Sequence, residues 1–465
     1  MFFGVAVCFL PLNHALCSRK AFPMNNATRR CLIWMLGAFV LLAPQTVLAQ
    51  DEIKLEPPPE DPKFPIRRQA TPEEAVKIFK KRLEAAPKNT ENRTKLGFAY
   101  LRWARESGNE EHYKHAEAEF LQVLKANPKS ASARALLASA YMAQHKFQEA
   151  LKLSEEVYAD NPGATFALAT IGDAYLELGR YDEAGEAYVK LKKAAKGPVP
   201  EVLARLARLA EFRGETDRAL ELLNQAVKQE QTSRPHSPEL AWYHLRLGEI
   251  YFGSGQIEPA SKHLETSLEL KENSVPALLA LGQVRAAQIR YDDACALYEK
   301  AVAQKPDFDL IGDLATLYQL AGNKPKAKEL EEKAVSLVPE AKKIETEARH
   351  LALFLADREI QLDLAVESAR KELKVRQDVF AYDVLAWALL KRGESEAAWE
   401  AMQKALSIGT KDARMHFHAG LIARNLGRAE EAKKHLARAL EINPHFGFTD
   451  PDIARKTLAE LTPKP

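Results

Sequence analysis

The feature that most constrains this chain is that it repeats itself about every 34 residues. The clearest copy lies around Ile171-Gly172, Tyr175, Gly179, Ala184 and Tyr188. The same spacing returns at Leu247-Gly248, Tyr251, Gly255, Ala260 and Leu264, at Leu281-Gly282, Ala294, Tyr298 and Ala301, and at Gly420, Gly427, Ala432, Leu436 and Ala439. Placed in register, copies begin near Thr90, Ala131, Thr165, Pro200, Ala241, Val275, Phe308, Thr346, Val379 and Ala413. A period of this length marks one supersecondary unit that cannot bury its apolar face alone and must stack on its neighbours. Each copy reads as two amphipathic helices of roughly 12–15 residues, which are marginal in water by themselves. Stability then comes as a sum of repeat and interface contributions.

The recurring columns have separate physical reasons. A small residue in the first helix (Gly97, Ala138, Gly172, Ala207, Gly248, Gly282, Ala315, Ala386, Gly420) lets the second helix approach. A second small column (Ala116, Ala150, Ala184, Ala219, Ala260, Ala294, Ala327, Ala365, Ala398, Ala432) does so from the other side. Gly179, Gly214, Gly255, Gly322, Gly393 and Gly427 supply a positive backbone angle between the two helices. Pro128, Pro162, Pro306, Pro339 and Pro444 end the second helix, since proline has no amide hydrogen to donate. The copy near Thr346 departs from this pattern, with Leu353 and Ala356 in the Gly–Tyr columns and no closing proline. Insertions of about seven residues, within Arg105 to Lys114 and near Arg234 to Pro238, read as surface loops.

These columns resemble the tetratricopeptide repeat family over roughly residues 90–446. The resemblance implies an all-α fold: a right-handed superhelical solenoid of about ten helix hairpins. Residues 71–89 read as an N-terminal half-repeat helix opening at Thr71-Pro72. Residues 447–465 read as a polar-faced capping helix and tail, with Ile453, Leu458 and Leu461 at helical spacing.

The N-terminus has a different character. Residues 1–49 contain no Asp or Glu. From Met24 the order is Arg29-Arg30, an apolar run from Cys31 to Ala43, and Val47-Leu48-Ala49, which is the layout of an export signal cut after Ala49. The apolar run falls short of the roughly 20 residues that span a bilayer. The expected location is therefore exported and periplasmic; an uncleaved leader anchoring the chain to the membrane is the alternative. Residues 50–70, with Pro57-Pro58-Pro59, read as a linker. Without the leader, Lys+Arg falls from 66 to 62 against 64 Asp+Glu, a net charge of −2. That near-neutral balance gives no support for nucleic-acid binding. Cys295 is the one cysteine left, so no intrachain disulfide is expected.

Catalytic motifs are not found. There is no phosphate-binding glycine loop ending in Lys-Ser or Lys-Thr, no nucleophile elbow and no His-Glu-x-x-His. After 465 residues lose 49, ten copies of 34 leave only scattered remnants, none the size of an ordinary domain. His112 with His115, and His416 with His418, lack carboxylate or Cys partners at ligand spacing and read as ordinary polar positions. No enzyme, metal or cofactor is expected.

The resemblance implies that first helices line a concave groove that takes protein or peptide segments. Carried onto this sequence, the lining includes Arg208, Phe212, Trp242, Glu249, Phe252, Phe354, Arg358, Trp387, Phe417 and Arg424. Phe212, Trp242 and Phe252 are the natural anchors. A carboxylate clamp of the kind that binds acidic C-termini is not rebuilt, since its positions hold Thr94, Ala135, Ser139, Ala169 and Asp173. The expected function is a protein-interaction scaffold or adaptor. The alternative is a membrane-anchored accessory subunit of an envelope enzyme or transport complex.

Overall fold

A computed structural model describes residues 70–235, 237–338 and 348–462. The leader and nearly all of the proline-rich linker lie outside them, as do Thr346 and Pro339. The described residues form twenty-two α-helices and no strand, an all-α repeat solenoid. After a lone α1 (Pro72–Ala85) come ten hairpins. They pair α2 (Thr90–Ser107) with α3 (Glu111–Ala126), α4 (Ala131–Ala143) with α5 (Phe147–Asp160), and α6 (Thr165–Glu177) with α7 (Tyr181–Ala194). Next are α8 (Pro200–Phe212) with α9 (Thr216–Ser233), α10 (Pro238–Gly253) with α11 (Ile257–Leu270), and α12 (Val275–Ala287) with α13 (Tyr291–Gln304). The series continues with α14 (Phe308–Leu320) and α15 (Lys324–Ser336), α16 (Ala348–Asp357) and α17 (Leu362–Val375), and α18 (Val379–Arg392) and α19 (Ser395–Ala405). The last hairpin is α20 (Ala413–Asn425) with α21 (Ala429–Ile442), and α22 (Asp450–Leu461) closes the array. No helix among the described residues is long and apolar enough to cross a membrane.

Local chemistry sets the boundaries. Thr71 opens α1 with a reciprocal capping box: its hydroxyl accepts from the Glu74 amide, and Glu74 accepts from the Thr71 amide. Asn89, Ser130, Ser237, Asp378 and Asp412 cap their helices through one side-chain oxygen each.

The small first-helix column is enforced by large side chains opposite. A Cβ on Gly172 would lie 2.3 Å from Tyr188, and one on Gly248 2.5 Å from Leu264. Gly282 against Tyr298 and Gly420 against Leu436 repeat the arrangement at 2.6 Å.

One expectation is corrected. The seven-residue insertions are mostly not loops. They lengthen α2 and α9 to 18 residues each, by adding a little over one turn to an existing helix, and the break in the first case is confined to Gly108–Glu110. Extending a helix satisfies every added backbone group internally, whereas a loop of that length would leave them to solvent.

The array also curls back on itself. The turns inside the hairpins of α6, α8 and α10 meet the junctions that precede α18, α20 and α22. The Gln377 amide donates to the Glu177 carbonyl (3.1 Å), and the Val379 amide to Tyr181 Oη (2.9 Å). Thr410 Oγ1 donates to the Phe212 carbonyl, and Asn443 Nδ2 to that of Phe252 (2.9 Å). Two coils of one superhelix thus lie against each other, hairpin turn to hairpin junction.

A candidate docking groove and its occupants

The first helices present polar and aromatic residues on one side, and the curvature brings these residues of successive repeats into contact. Asp173 in α6 holds Arg205 in α8 at 3.0 Å and accepts from Tyr188 Oη at 2.9 Å, all of it buried. Glu177 takes Arg208 (2.5 Å) from the next repeat and Arg376 (2.8 Å) from the opposing coil. Arg376 also reaches Glu372, which shares Arg349 with Asp378. Burial works against the charge on Glu177, but Arg376 and Arg208 overcome it and hold its carboxyl below the ordinary range. The same balance, set by Arg349 and Arg376, lowers Glu372. At Asp378 burial wins and the carboxyl is raised.

This face consumes half of the expected groove residues. Arg208 and Phe212 are buried; Phe212 meets Phe380 edge-on at 5.3 Å across the coil contact. Phe354 is buried against Phe308 (5.1 Å), with the Arg358 guanidinium over its ring at 3.9 Å and Arg358 bonded to Glu331 at 2.7 Å. Trp387 is buried, donates to Asp357 (2.7 Å) and stacks on His418 (4.0 Å). Phe417 is buried between Trp387 and Phe446. Arg424 remains exposed, pairing with Glu460 of α22 at 2.8 Å. Arg208, Phe212, Phe354, Trp387 and Phe417 are therefore core residues here rather than an open lining. The physical reason is the tight curl, which puts neighbouring repeats where a partner would lie.

Three of the expected residues stay half-open together on α10. Trp242 and Glu249 stand two turns apart on one stripe and Phe252 one turn further; all three are half-buried. Arg246 is shared between Glu249 and Glu211, leaving an excess negative charge on this stretch. Burial raises the Glu249 carboxyl against the pull of Arg246.

Sequence reasoning did not find Glu372, Arg376 or Arg349, which sit on the far coil. It also paired His416 with His418. In the structure His416 meets His435 instead, and His418 bonds to Asp383. The signal for the first of these was the 19-residue spacing shared by His416/His435 and His244/His263. Cys295 is buried with a free thiol, and burial pushes its pKa up to about 11.

Models of the tetratricopeptide repeat match residues 101–165, 141–209, 199–273, 245–307 and 413–446. No curated protein matches the chain. Among solved structures, a tetratricopeptide repeat protein from Parabacteroides merdae is 20% identical, with 57% of this chain and 92% of that one covered, at a TM-score of 0.40. The APC/C hetero-tetramer Cut9-Hcn1 is 15% identical over 84% of this chain and 94% of that one, at 0.32. PilW, a type IV pilus biogenesis factor, is 18% identical over 45% and 93%, at 0.40. At these TM-scores the likenesses carry no argument about geometry or partners. The family models and the ten stacked hairpins agree, and this chain belongs to the tetratricopeptide repeat family.

Proposed function

We propose that this protein is an exported scaffold that holds segments of other proteins, and that α10 carries the docking stretch. The general part, a protein-interaction scaffold, is what tetratricopeptide repeats support, and such repeats are ordinarily not catalytic. The export part rests on the leader at 24–49, which lies outside the described residues.

The observation that carries the docking stretch is selective occupancy. Along the first-helix face the ion pairs and aromatic stacks between repeats fill the groove, whereas Trp242 and Phe252 keep part of their rings open. Partly open aromatics beside an excess carboxylate suit an extended segment that offers an apolar side chain and a basic one. Removing two such anchors typically costs at least about 2 kcal/mol, roughly 30-fold in affinity. Trp242→Ala combined with Phe252→Ala is expected to weaken capture of the natural partner by that order and to leave the far-ultraviolet helical signal unchanged. Undiminished capture by a fully helical double variant would remove α10 from the proposal.

A further inference from the structure

The contact between the coils advances by a fixed step. The turns after α6, α8 and α10 meet the junctions before α18, α20 and α22, twelve helices on in each case. Among the described residues no helix stands twelve on from the turns after α12, α14, α16, α18 and α20. Gly322, Gly393 and Gly427 in these turns are exposed, with nothing within 4 Å of a Cβ position. Within one chain only their positive backbone angle accounts for glycine there. The junctions before α4 and α6 lie at the opposite edge and have no described helix twelve earlier.

The junction docked on α10 shows what such an edge needs. Asn443 Nδ2 donates to the Phe252 carbonyl at 2.9 Å, and Pro444 Cδ lies 3.2 Å from where a Cβ on Gly255 would stand. The Phe252 carbonyl also accepts from the Gly255 amide (2.8 Å), so the asparagine uses a lone pair left over at this helix end. Asn443 Oδ1 accepts from the His445 amide at 2.8 Å, which fixes the side chain.

Asn127-Pro128 and Asn161-Pro162 repeat the dipeptide at the junctions before α4 and α6. Asn127, Asn161 and Asn443 share one backbone conformation, with φ −139°, −144° and −152° and ψ 87°, 92° and 110° in that order. Oδ1 again accepts from the amide two residues on, that of Lys129 (3.3 Å) or Gly163 (3.1 Å). Neither Nδ2 has a partner among the described residues. Both dipeptides are exposed, whereas Asn443 is buried.

We propose that this edge docks on the open turns of a second copy of the chain, head to tail, with Asn127-Pro128 on the turn after α18 and Asn161-Pro162 on the turn after α20. Continuity with the coil contact carries the proposal: the same dipeptide, in the same backbone conformation, meets the same kind of turn. Register follows from glycine. The two junctions are one hairpin apart and need two adjacent turns. The open turns after α12 and α16 carry Ile289 and Glu359, which leaves Gly393 and Gly427 as the adjacent glycine pair. The acceptors are the Leu390 and Arg424 carbonyls, which accept from the Gly393 amide (2.9 Å) and the Gly427 amide (3.0 Å) as Phe252 does from Gly255. Two different faces are joined, so every added copy leaves one of each open, and the products form a series rather than a closed dimer.

An Asn-Pro pair also ends a helix by itself, but that role uses Oδ1 and the proline ring and not Nδ2. Asn127→Asp with Asn161→Asp keeps Oδ1 and removes the donor, so it separates the two roles. Sedimentation of the full chain from micromolar to millimolar concentration should show masses rising through the dimer to larger species. The aspartate variant, at an unchanged thermal midpoint, should need roughly 30-fold more protein for the same association, two hydrogen bonds being lost. Gly393→Asn with Gly427→Asn tests the other face, since asparagine tolerates the left-handed backbone, and should also lose association. Mixed in equal amounts, the two variants should form a dimer and nothing larger, because each still offers the face the other lacks. If the turn variant unfolds, the aspartate pair still decides. A wild-type chain that stays monomeric throughout overturns the proposal, as does association that the aspartate pair leaves undiminished, the result expected if the apolar leader alone were responsible.

Discussion

Ile289 sits in the left-handed backbone region at φ 61°, where a β-branched side chain is least comfortable. It occupies the turn position that is glycine at 179, 214, 255, 322, 393 and 427, all with positive φ. His145 and Glu359 fill the same position in two further hairpins, also with positive φ. At 74% exposure the Ile289 side chain packs on little, so the strain is not offset by burial. The left-handed penalty is about 1–2 kcal/mol, against about 0.4–1 kcal/mol for the extra freedom glycine brings to the unfolded chain. Ile289→Gly is therefore expected to stabilise the array by about 0.5–1 kcal/mol, read as a rise in the thermal midpoint. A fall would mean that the isoleucine makes a contact worth more than its strain. The glycine column was legible in the sequence as a conformational requirement. That three turns meet it without glycine was not, because conformation at one residue can be forced by the helices on either side.

At the scale of the elements, six turns share a glycine but not its reason. Gly427 has nothing within 4 Å of where a Cβ would stand, so only its positive φ speaks for glycine. At Gly214 a Cβ would lie 2.2 Å from the Gly409 carbonyl oxygen, and at Gly179 2.3 Å from that of Gln377. Those carbonyls belong to the opposing coil, and a backbone cannot swing aside as a side chain can. By the same balance run in reverse, Gly427→Ala is expected to cost about 0.5–1 kcal/mol. Gly214→Ala should cost more than that, and its thermal midpoint should fall several degrees below that of Gly427→Ala. Equal effects would argue that the coils do not touch. Hairpin number, helix order and the close-approach column were readable because each is written within one 34-residue unit. The fate of the insertions was not, because a polar stretch such as Gln229–Ser233 suits a solvated helix as well as a loop.

For the whole molecule, the decisive fact is which surface the curl consumes. Arg208, Phe212, Phe354, Trp387 and Phe417 have the character of groove residues, and one repeat alone would expose them. Their burial depends on how far the array turns, a sum of small angles that no single repeat encodes. The partners Glu177 and Arg376 are almost 200 positions apart, beyond any local pattern. Removing one partner of the buried pairs around them would strand a buried charge at a cost of about 3–5 kcal/mol. The central claim is that hairpin turns of the first coil are bonded to hairpin junctions of the second. Amide hydrogen exchange across residues 374–380 tests it most directly. Val379 opens α18, and the first amides of a helix have no partner within it. Gln377 and Val379 are bonded instead to Glu177 and Tyr181, so their exchange should be slowed as in a helix interior, with Val379 released by Tyr181→Phe. Exchange at the rate of freely solvated amides, unaltered by that substitution, would contradict the closed coil.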